Sequence, residues 1–477
     1  MRRAPNPKAA WVLAGLPLFF VGHGLAQYAA FVPVQKAALL LLQYLLAAGI
    51  LWLLFSAWRK DPSRAVLDTT VTLAFYFFFG GVKDGLAGLF PGIFLVKYSV
   101  LLPIWLAAWA AAVMWLGNRG RTRRILGFLA PLWFILLLID GIAFIRNRGR
   151  AEIGPALAAC AGCPRPDVYL IILDGYAGLP QLQQELGFDN RPFLDSLRGL
   201  GFEVAAASRS NYQDTPFSMA SLFQMNYLSL PRFTYTDANL TFCYTQIYDN
   251  PVVRRFRREG YEIRNLSIFD IRNSPAPYDN TLLVSGARLI SSQTLGQRLY
   301  RDLYSNIIYA YFKGTAAYDG LVNQARDINE AAAKATLAEA ARRPQEPRFV
   351  YTHFAMPHAP YYYGANGRPN PSSATGPENL GRMDLYLGYL QYTNRFALDY
   401  LRQMRAAARP GSIFLLLSDH GSREVPRSKL RYSNLAALSF PGAPRVYYDS
   451  VSNVNQFRLL FRTLFRDTLA VLPDRTY

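Results

Sequence analysis

Five long apolar stretches, roughly 10–31, 36–57, 66–90, 92–116 and 125–145, occupy the first third of this 477-residue chain. Each is long enough to cross about 30 Å of hydrocarbon at about 1.5 Å per helical residue. Five in succession, joined by short loops, is not a soluble pattern. Arg2 and Arg3 precede the first stretch, as in a signal peptide, but four further spans make it a retained anchor. The expectation is a five-helix transmembrane domain over 1–147, a linker over 148–165, and a second domain over 166–477.

Basic residues predict its orientation. Arg2, Arg3 and Lys8 open the chain, Arg59, Lys60 and Arg64 follow the second span, and Arg119, Arg121, Arg123 and Arg124 follow the fourth. The alternate loops are nearly uncharged, Lys36 being the main exception. The N-terminus is therefore expected inside, and an odd number of spans delivers the remainder outside. Arg146, Arg148 and Arg150 break the rule and are placed against anionic headgroups. His23, Lys83, Asp84, Lys97 and Asp140 fall in the outer halves of the spans. They either form a polar vestibule or snorkel to the interface.

The net charge of +19 points to anionic partners. Cytoplasmic arginines account for much of it, and a domain held outside a cell does not meet nucleic acid. Cys160, Cys163 and Cys243 are the only cysteines. The Cys160-x-x-Cys163 pair lacks a second such pair for a tetrahedral zinc site, so a disulfide is expected, within the linker or to Cys243.

Strand candidates at 167–173, 202–207, 261–267, 348–354, 413–418 and 436–440 alternate with helical patterns near 191–199, 215–226, 251–258, 320–342 and 383–406. That alternation predicts an α/β domain with a mixed, mainly parallel sheet and helices on both faces.

Two of the strands share a design. The apolar run 413–417 breaks into Ser418-Asp419-His420-Gly421, and the run 168–173 breaks into Asp174-Gly175. Carboxylates and an imidazole at strand tips suit a divalent cation, where open α/β sheets place their chemistry. Two further elements are expected at the same edge. One is the loop after 348–354, carrying His358 between Pro357 and Pro360. The other is Asn211 to Leu222, with Thr215 as N-cap and Pro216 as first helical residue. A threonine hydroxyl is a weak nucleophile until a cation or base lowers its pKa. Thr215 beside Asp174, Asp419 and His420 could attack phosphorus, with His358 moving a proton.

Asp174, Thr215 and the Ser418-Asp419-His420-Gly421 box resemble, in that order, the alkaline phosphatase/sulfatase superfamily. The nearest branch is membrane-anchored, with five spans and an outer catalytic domain, and includes lipoteichoic acid synthases and phosphoethanolamine transferases. The resemblance covers about 166–460 and the span layout. It implies metal ligation by Asp174, Thr215, Asp419 and His420, one manganese or zinc ion, Thr215 as covalent nucleophile, and His358 on the substrate side. Met219 stands where a sulfatase has arginine, and threonine stands at 215, so formylglycine chemistry is excluded there. Outside the spans the only histidines are His353, His358 and His420, too few for a two-zinc site.

The resemblance further implies a protein of the bacterial cytoplasmic (inner) membrane that transfers a phospholipid headgroup phosphate to an outer glycan or lipid. A metal-dependent phosphodiesterase and a catalytically silent scaffold are the alternatives. Arg209, Asn211, Arg423 and His353 sit close to the motifs without an assigned role.

Overall fold

The computed structural model describes residues 7–90, 92–115, 119–148, 159–278 and 286–477. Arg2, Arg3, Arg150 and most of the expected linker lie outside the described residues. The chain divides into two compact units, one of Met1–Arg150 with Val284–Ile307 and one of Ala151–Leu283 with Ile308–Tyr477.

The first unit is helical. Its elements are α1 (Pro7–Gln27), α2 (Val34–Arg59), α3 (Pro62–Phe77), α4 (Phe79–Leu89), α5 (Tyr98–Trp115) and α6 (Arg119–Asn147). Four of these are long and apolar enough to cross a membrane, and α3 with α4 forms a fifth crossing only if the bent pair counts as one. The expected span over 66–90 is not one straight helix: it breaks at Phe78 with a bend of 48°. Beyond the break, the Gly80 N–H donates to the Gln293 carbonyl at 2.8 Å. A Cβ on Gly80 would collide with Gln293 and Arg298. The last expected helix begins earlier than its apolar run, and the fourth starts only at Tyr98.

Contacts fix the helix directions. Trp11 donates to the Ala130 carbonyl, His23 pairs with Asp140 at 2.9 Å, and the Asn147 amide donates to the Ala26 carbonyl. Residue numbers rise together, so α1 and α6 run parallel and the chain leaves this bundle at the end opposite its entry. Between α3 and α5 they run in opposition: Arg64 reaches the Val113 carbonyl, Trp109 the Thr72 hydroxyl, and Trp105 the Phe75 carbonyl.

Four of the five expected intramembrane charges have partners. His23 meets Asp140, Asp84 meets Arg298, and Lys83 lies over the Tyr98 ring. Asp68, near the start of the expected span 66–90 and missing from the charges singled out there, is buried between Arg59 at 2.8 Å and Arg64 at 3.0 Å. Burying one charge without its partners would cost several kcal/mol, on the order of the buried-pair penalties seen elsewhere.

The second unit is built on a six-stranded sheet: β1 (Val168–Leu173), β2 (Glu203–Val204), β3 (Glu262–Leu266), β4 (Arg348–Phe354), β5 (Ile413–Leu417) and β6 (Ala436–Ser439). Its order is β2-β6-β5-β1-β4-β3. Strands β5, β1, β4 and β3 are parallel, whereas β6 and β2 are antiparallel to their neighbours. The expected strand over 202–207 is corrected to two residues, because Ala205 is the last to bond β6 and the chain then turns.

Alternate β1 side chains, Tyr169, Ile171 and Leu173, pack on one face with residues of the helices Arg191–Gly199, Gln324–Ala341 and Met383–Ala407. On the other face Phe349 stacks on Phe256 at 4.3 Å, and Tyr351 meets Phe223 edge-on. Helices therefore cover both faces, and the central strands are buried throughout, which explains their unbroken apolar runs. The Cys160–Cys163 disulfide closes a short loop ahead of β1, within the stretch expected as a linker, and Cys243 is free and buried, which pushes its thiol up.

Candidate metal centre and active site

The register of the parallel strands brings the expected residues to one edge. Leu173 pairs with Phe354 and Ile172 with Leu417, so β1, β4 and β5 end side by side. Asp174, the loop to His358, and Asp419-His420 follow directly. Gly175, at φ +69°, makes the tight exit from β1. A Cβ there would touch the His358 and His420 rings, both at 3.6 Å, so the two imidazoles flank this glycine.

Asp174, Asp419 and His420 are all buried, with ligand atoms within 4.8 Å of one another. The His420 Nε2 lies 3.5 Å from Asp174 Oδ1 and 3.5 Å from Asp419 Oδ2. The Thr215 hydroxyl lies 3.4 Å from the same nitrogen. His420 Nδ1 donates to the Gly421 carbonyl at 2.7 Å, which leaves a lone pair on Nε2. Among the described residues, Asp174 Oδ1 and Asp419 Oδ2 have no hydrogen-bond partner. Acceptors thus face acceptors in a buried space.

Each unpaired buried acceptor costs about 1–3 kcal/mol, more if charged, against a folding stability of about 5–15 kcal/mol. A divalent cation would offset that cost at one stroke, and two carboxylate oxygens, an imidazole nitrogen and a hydroxyl are a suitable donor set. Burial pushes the Asp174 carboxyl up, but His358, His353 and His420, where they carry a proton's charge, together outweigh it and hold it below the usual carboxylate range.

Thr215 is the first residue of the helix Thr215–Gln224, and Asp214 is its N-cap, correcting the expected assignment by one position. The reason is local. Asp214 is extended, its carbonyl accepts the Ser218 N–H at 3.0 Å, and its carboxylate is directed away from the helix. That carboxylate receives Arg423 Nη1 at 2.6 Å, while Arg423 Nη2 donates to His358 Nε2 at 2.9 Å. His358 Nδ1 donates to the Ala359 carbonyl at 2.6 Å, so Nε2 carries the lone pair.

Of the residues without an expected role, Arg423 reaches the site. His353 does so indirectly, with Nε2 3.7 Å from Asp174 Oδ2. Asn211 holds the backbone of Val454 and Arg475, and Arg209 contributes its main chain to bridges with Ser433 and Ser452.

Sequence reasoning missed the brace beneath the Asp419 turn. The Asn453 amide donates to the Ser418 carbonyl at 3.1 Å and the Asp419 carbonyl at 2.9 Å, and Asn434 also donates to Ser418 at 2.7 Å. The Ser418 hydroxyl accepts the Tyr176 N–H and donates to the His420 carbonyl. A lone asparagine carries no periodic signal; only the sheet makes it adjacent. Asn453→Ala is expected to lower stability by about 1–3 kcal/mol, by leaving buried carbonyls underbonded. Denaturant melts of the full chain check this.

No protein-family model and no curated protein matches the sequence. The structure is similar to solved structures at low identity. The integral membrane lipooligosaccharide phosphoethanolamine transferase A from Neisseria meningitidis shares 12% identity over 92% of this chain and 94% of that one, with a TM-score of 0.37. The periplasmic domain of EcEptC from Escherichia coli, in complex with zinc, shares 13% over 65% and 87%, with a TM-score of 0.38. A phosphonate monoester hydrolase from Silicibacter pomeroyi shares 14% over 65% and 75%, with a TM-score of 0.41. Likeness at this level decides neither activity nor substrate.

Proposed function

We propose that this protein is a metal-dependent phospho-group transferase that takes a headgroup phosphate from a membrane phospholipid onto Thr215 and passes it to a hydroxyl of a glycan or lipid. The observation that carries the reading is the Thr215 hydroxyl beside the acceptor-only cluster of Asp174, Asp419 and His420.

Those four residues would hold one Mn2+ or Zn2+ ion. Bound there, the ion supplies positive charge that acidifies a hydroxyl and neutralises phosphoryl oxygens. Thr215 Oγ1 forms a bond to phosphorus as the bond from phosphorus to the diacylglycerol oxygen breaks. The departing oxygen takes up a proton and Thr215 loses one. The acceptor hydroxyl then attacks, the bond from Oγ1 to phosphorus breaks, and Thr215 regains its proton. His358 Nε2, once Arg423 Nη2 turns from it to the phosphoryl oxygens, takes the acceptor's proton. The start of the helix Thr215–Gln224 adds free N–H groups and a favourable dipole end for the phosphoryl group. Water in the acceptor's place would make the same machinery a phosphodiesterase.

The reading includes placement of the α/β unit outside the cytoplasmic membrane, with the N-terminus inside. The parallel run of α1 and α6 supports it, since only an odd number of crossings gives that arrangement. Arg59 and Arg64 at the α2–α3 turn reach the C-terminal part of α5 through the Val113 carbonyl, so these two turns share one end.

The deciding experiment uses the full-length protein in nanodiscs of phosphatidylglycerol and phosphatidylethanolamine. Diacylglycerol release that depends on Mn2+ or Zn2+ and stops with chelator is expected. No release under either metal would overturn the proposal.

Arg423 is assigned the non-bridging phosphoryl oxygens, because its planar fork is already presented between Asp214 and His358. Arg423→Gln is expected to raise KM about 10- to 100-fold, the worth of a charge-assisted pair of hydrogen bonds. Metal content should be unchanged, and Arg423→Lys should recover only part of the loss; steady-state kinetics with elemental analysis read both.

A further inference from the structure

We infer that the helical stretch Leu295–Ile307 is a membrane-interface element, lying along the bilayer surface with one aromatic face in the headgroup and acyl boundary. This rests on the membrane-spanning reading of α1–α6 and is independent of the chemistry at Thr215.

The first observation is where the stretch is fastened. Residues 288–302 are stitched to one end of the helical unit. Ile290 packs against Gly24, the Gln293 carbonyl accepts the Gly80 N–H, Arg298 pairs with Asp84, and Asp302 accepts from the Tyr98 hydroxyl at 2.6 Å. Gly24 neighbours His23, whose partner Asp140 lies near the end of α6, and Tyr98 opens α5. All of these partners belong to the end where the chain leaves the bundle, away from the Arg59–Asp68–Arg64 cluster. A segment fastened there sits at the level where the spans meet water.

The second observation is what the stretch exposes. Tyr300, Tyr304 and Ile307 are 41%, 43% and 38% exposed. Their spacing of four and three residues puts them on one helix face. The Tyr300 and Tyr304 rings stack at 5.5 Å, making a continuous slab. Tyrosine, with an apolar ring and a polar tip, is the residue that favours the boundary between lipid and water.

The occupant follows from continuity. Val82, Leu89 and Phe94, on α4 and the turn after it, are also exposed, next to the residues that hold this segment. An apolar band on the spans runs into an aromatic face on the fastened helix, and one bilayer covers both. Apolar area of this kind on a water-facing helix would be a liability.

The test is site-directed spin labelling of the full chain in nanodiscs of phosphatidylglycerol and phosphatidylethanolamine, read by power saturation with oxygen and a water-soluble nickel chelate. Labels go at Tyr300→Cys and Tyr304→Cys, with Asn306→Cys on another exposed face and Leu46→Cys on lipid-facing α2 as references. Tyr300 and Tyr304 labels are expected to favour oxygen over nickel severalfold relative to Asn306, and to lie shallower than Leu46. Nickel accessibility equal to that at Asn306 would overturn the inference in favour of a water-exposed face. Shielding from both reagents would overturn it in favour of a protein partner. A Leu46 label without oxygen preference would bring down the spanning reading and the inference with it.

Discussion

Thr215→Ala is expected to abolish turnover, by about 10³-fold or more, as loss of a covalent nucleophile does elsewhere. Intact-mass measurement after incubation with phospholipid should show an added headgroup phosphate on the native chain and none on the variant. The mass of that adduct names the transferred group. The expectation follows from position. Thr215 opens a buried helix, and its hydroxyl meets the lone pair of His420 rather than a backbone acceptor. Serine at 215 keeps the hydroxyl and should keep much of the activity. If alanine retained turnover, Thr215 would be only a good helix start, and water held at the same centre would become the nucleophile.

Asp419→Ala is expected to empty the metal centre, lowering affinity by at least about 100-fold. Elemental analysis after dialysis reads the loss directly. Asp419 is singled out because its two oxygens do different work. Oδ1 accepts the Gly175 N–H at 3.0 Å and the His420 N–H at 2.9 Å, fixing the turn, while Oδ2 faces the cluster and has no hydrogen-bond partner among the described residues. Asn at 419 could keep the first function with its carbonyl oxygen and still present a neutral, weaker donor or an N–H to the ion. Asp419→Asn should therefore fold as well as the native chain and still bind metal poorly. Equal metal content in Asp419→Asn and the native chain would show that the carboxylate is structural.

These residues were legible because a buried parallel strand is apolar along its whole length, and the first polar residues after it stand out. Asp174 and Asp419-His420 announce themselves in that way, and the register of β1 with β4 and β5 places them together as the pattern implied. Arg423 and Asp214 were not legible as a pair, since 209 positions separate them and neither has periodicity. Asn453 was unreadable for the same reason. The break at Phe78 was hidden because apolar composition reports burial in lipid and says nothing of helix direction. The return of residues 286–307 to the helical unit was likewise hidden, because its fastenings, such as Arg298 to Asp84 and the Gly80 N–H to the Gln293 carbonyl, join positions some two hundred apart in sequence.

The strand order has a consequence for how such a chain is made. The first three strands to leave the ribosome, β1, β2 and β3, are not neighbours of one another: β1 waits for β4 and β5, β2 for β6, and β3 for β4. Between them and β4 the chain first goes back to the helical unit through residues 284–307. For the whole of that interval three strands, including the fully apolar β1, have every sheet partner still unsynthesised. Nascent chains of this kind stand exposed to mispairing for many seconds at about 5–20 residues per second. The last 130 or so residues therefore set the moment at which the sheet, and with it the site, comes into existence, and a factor that shields unpaired strands would act on this protein before that moment and not after it.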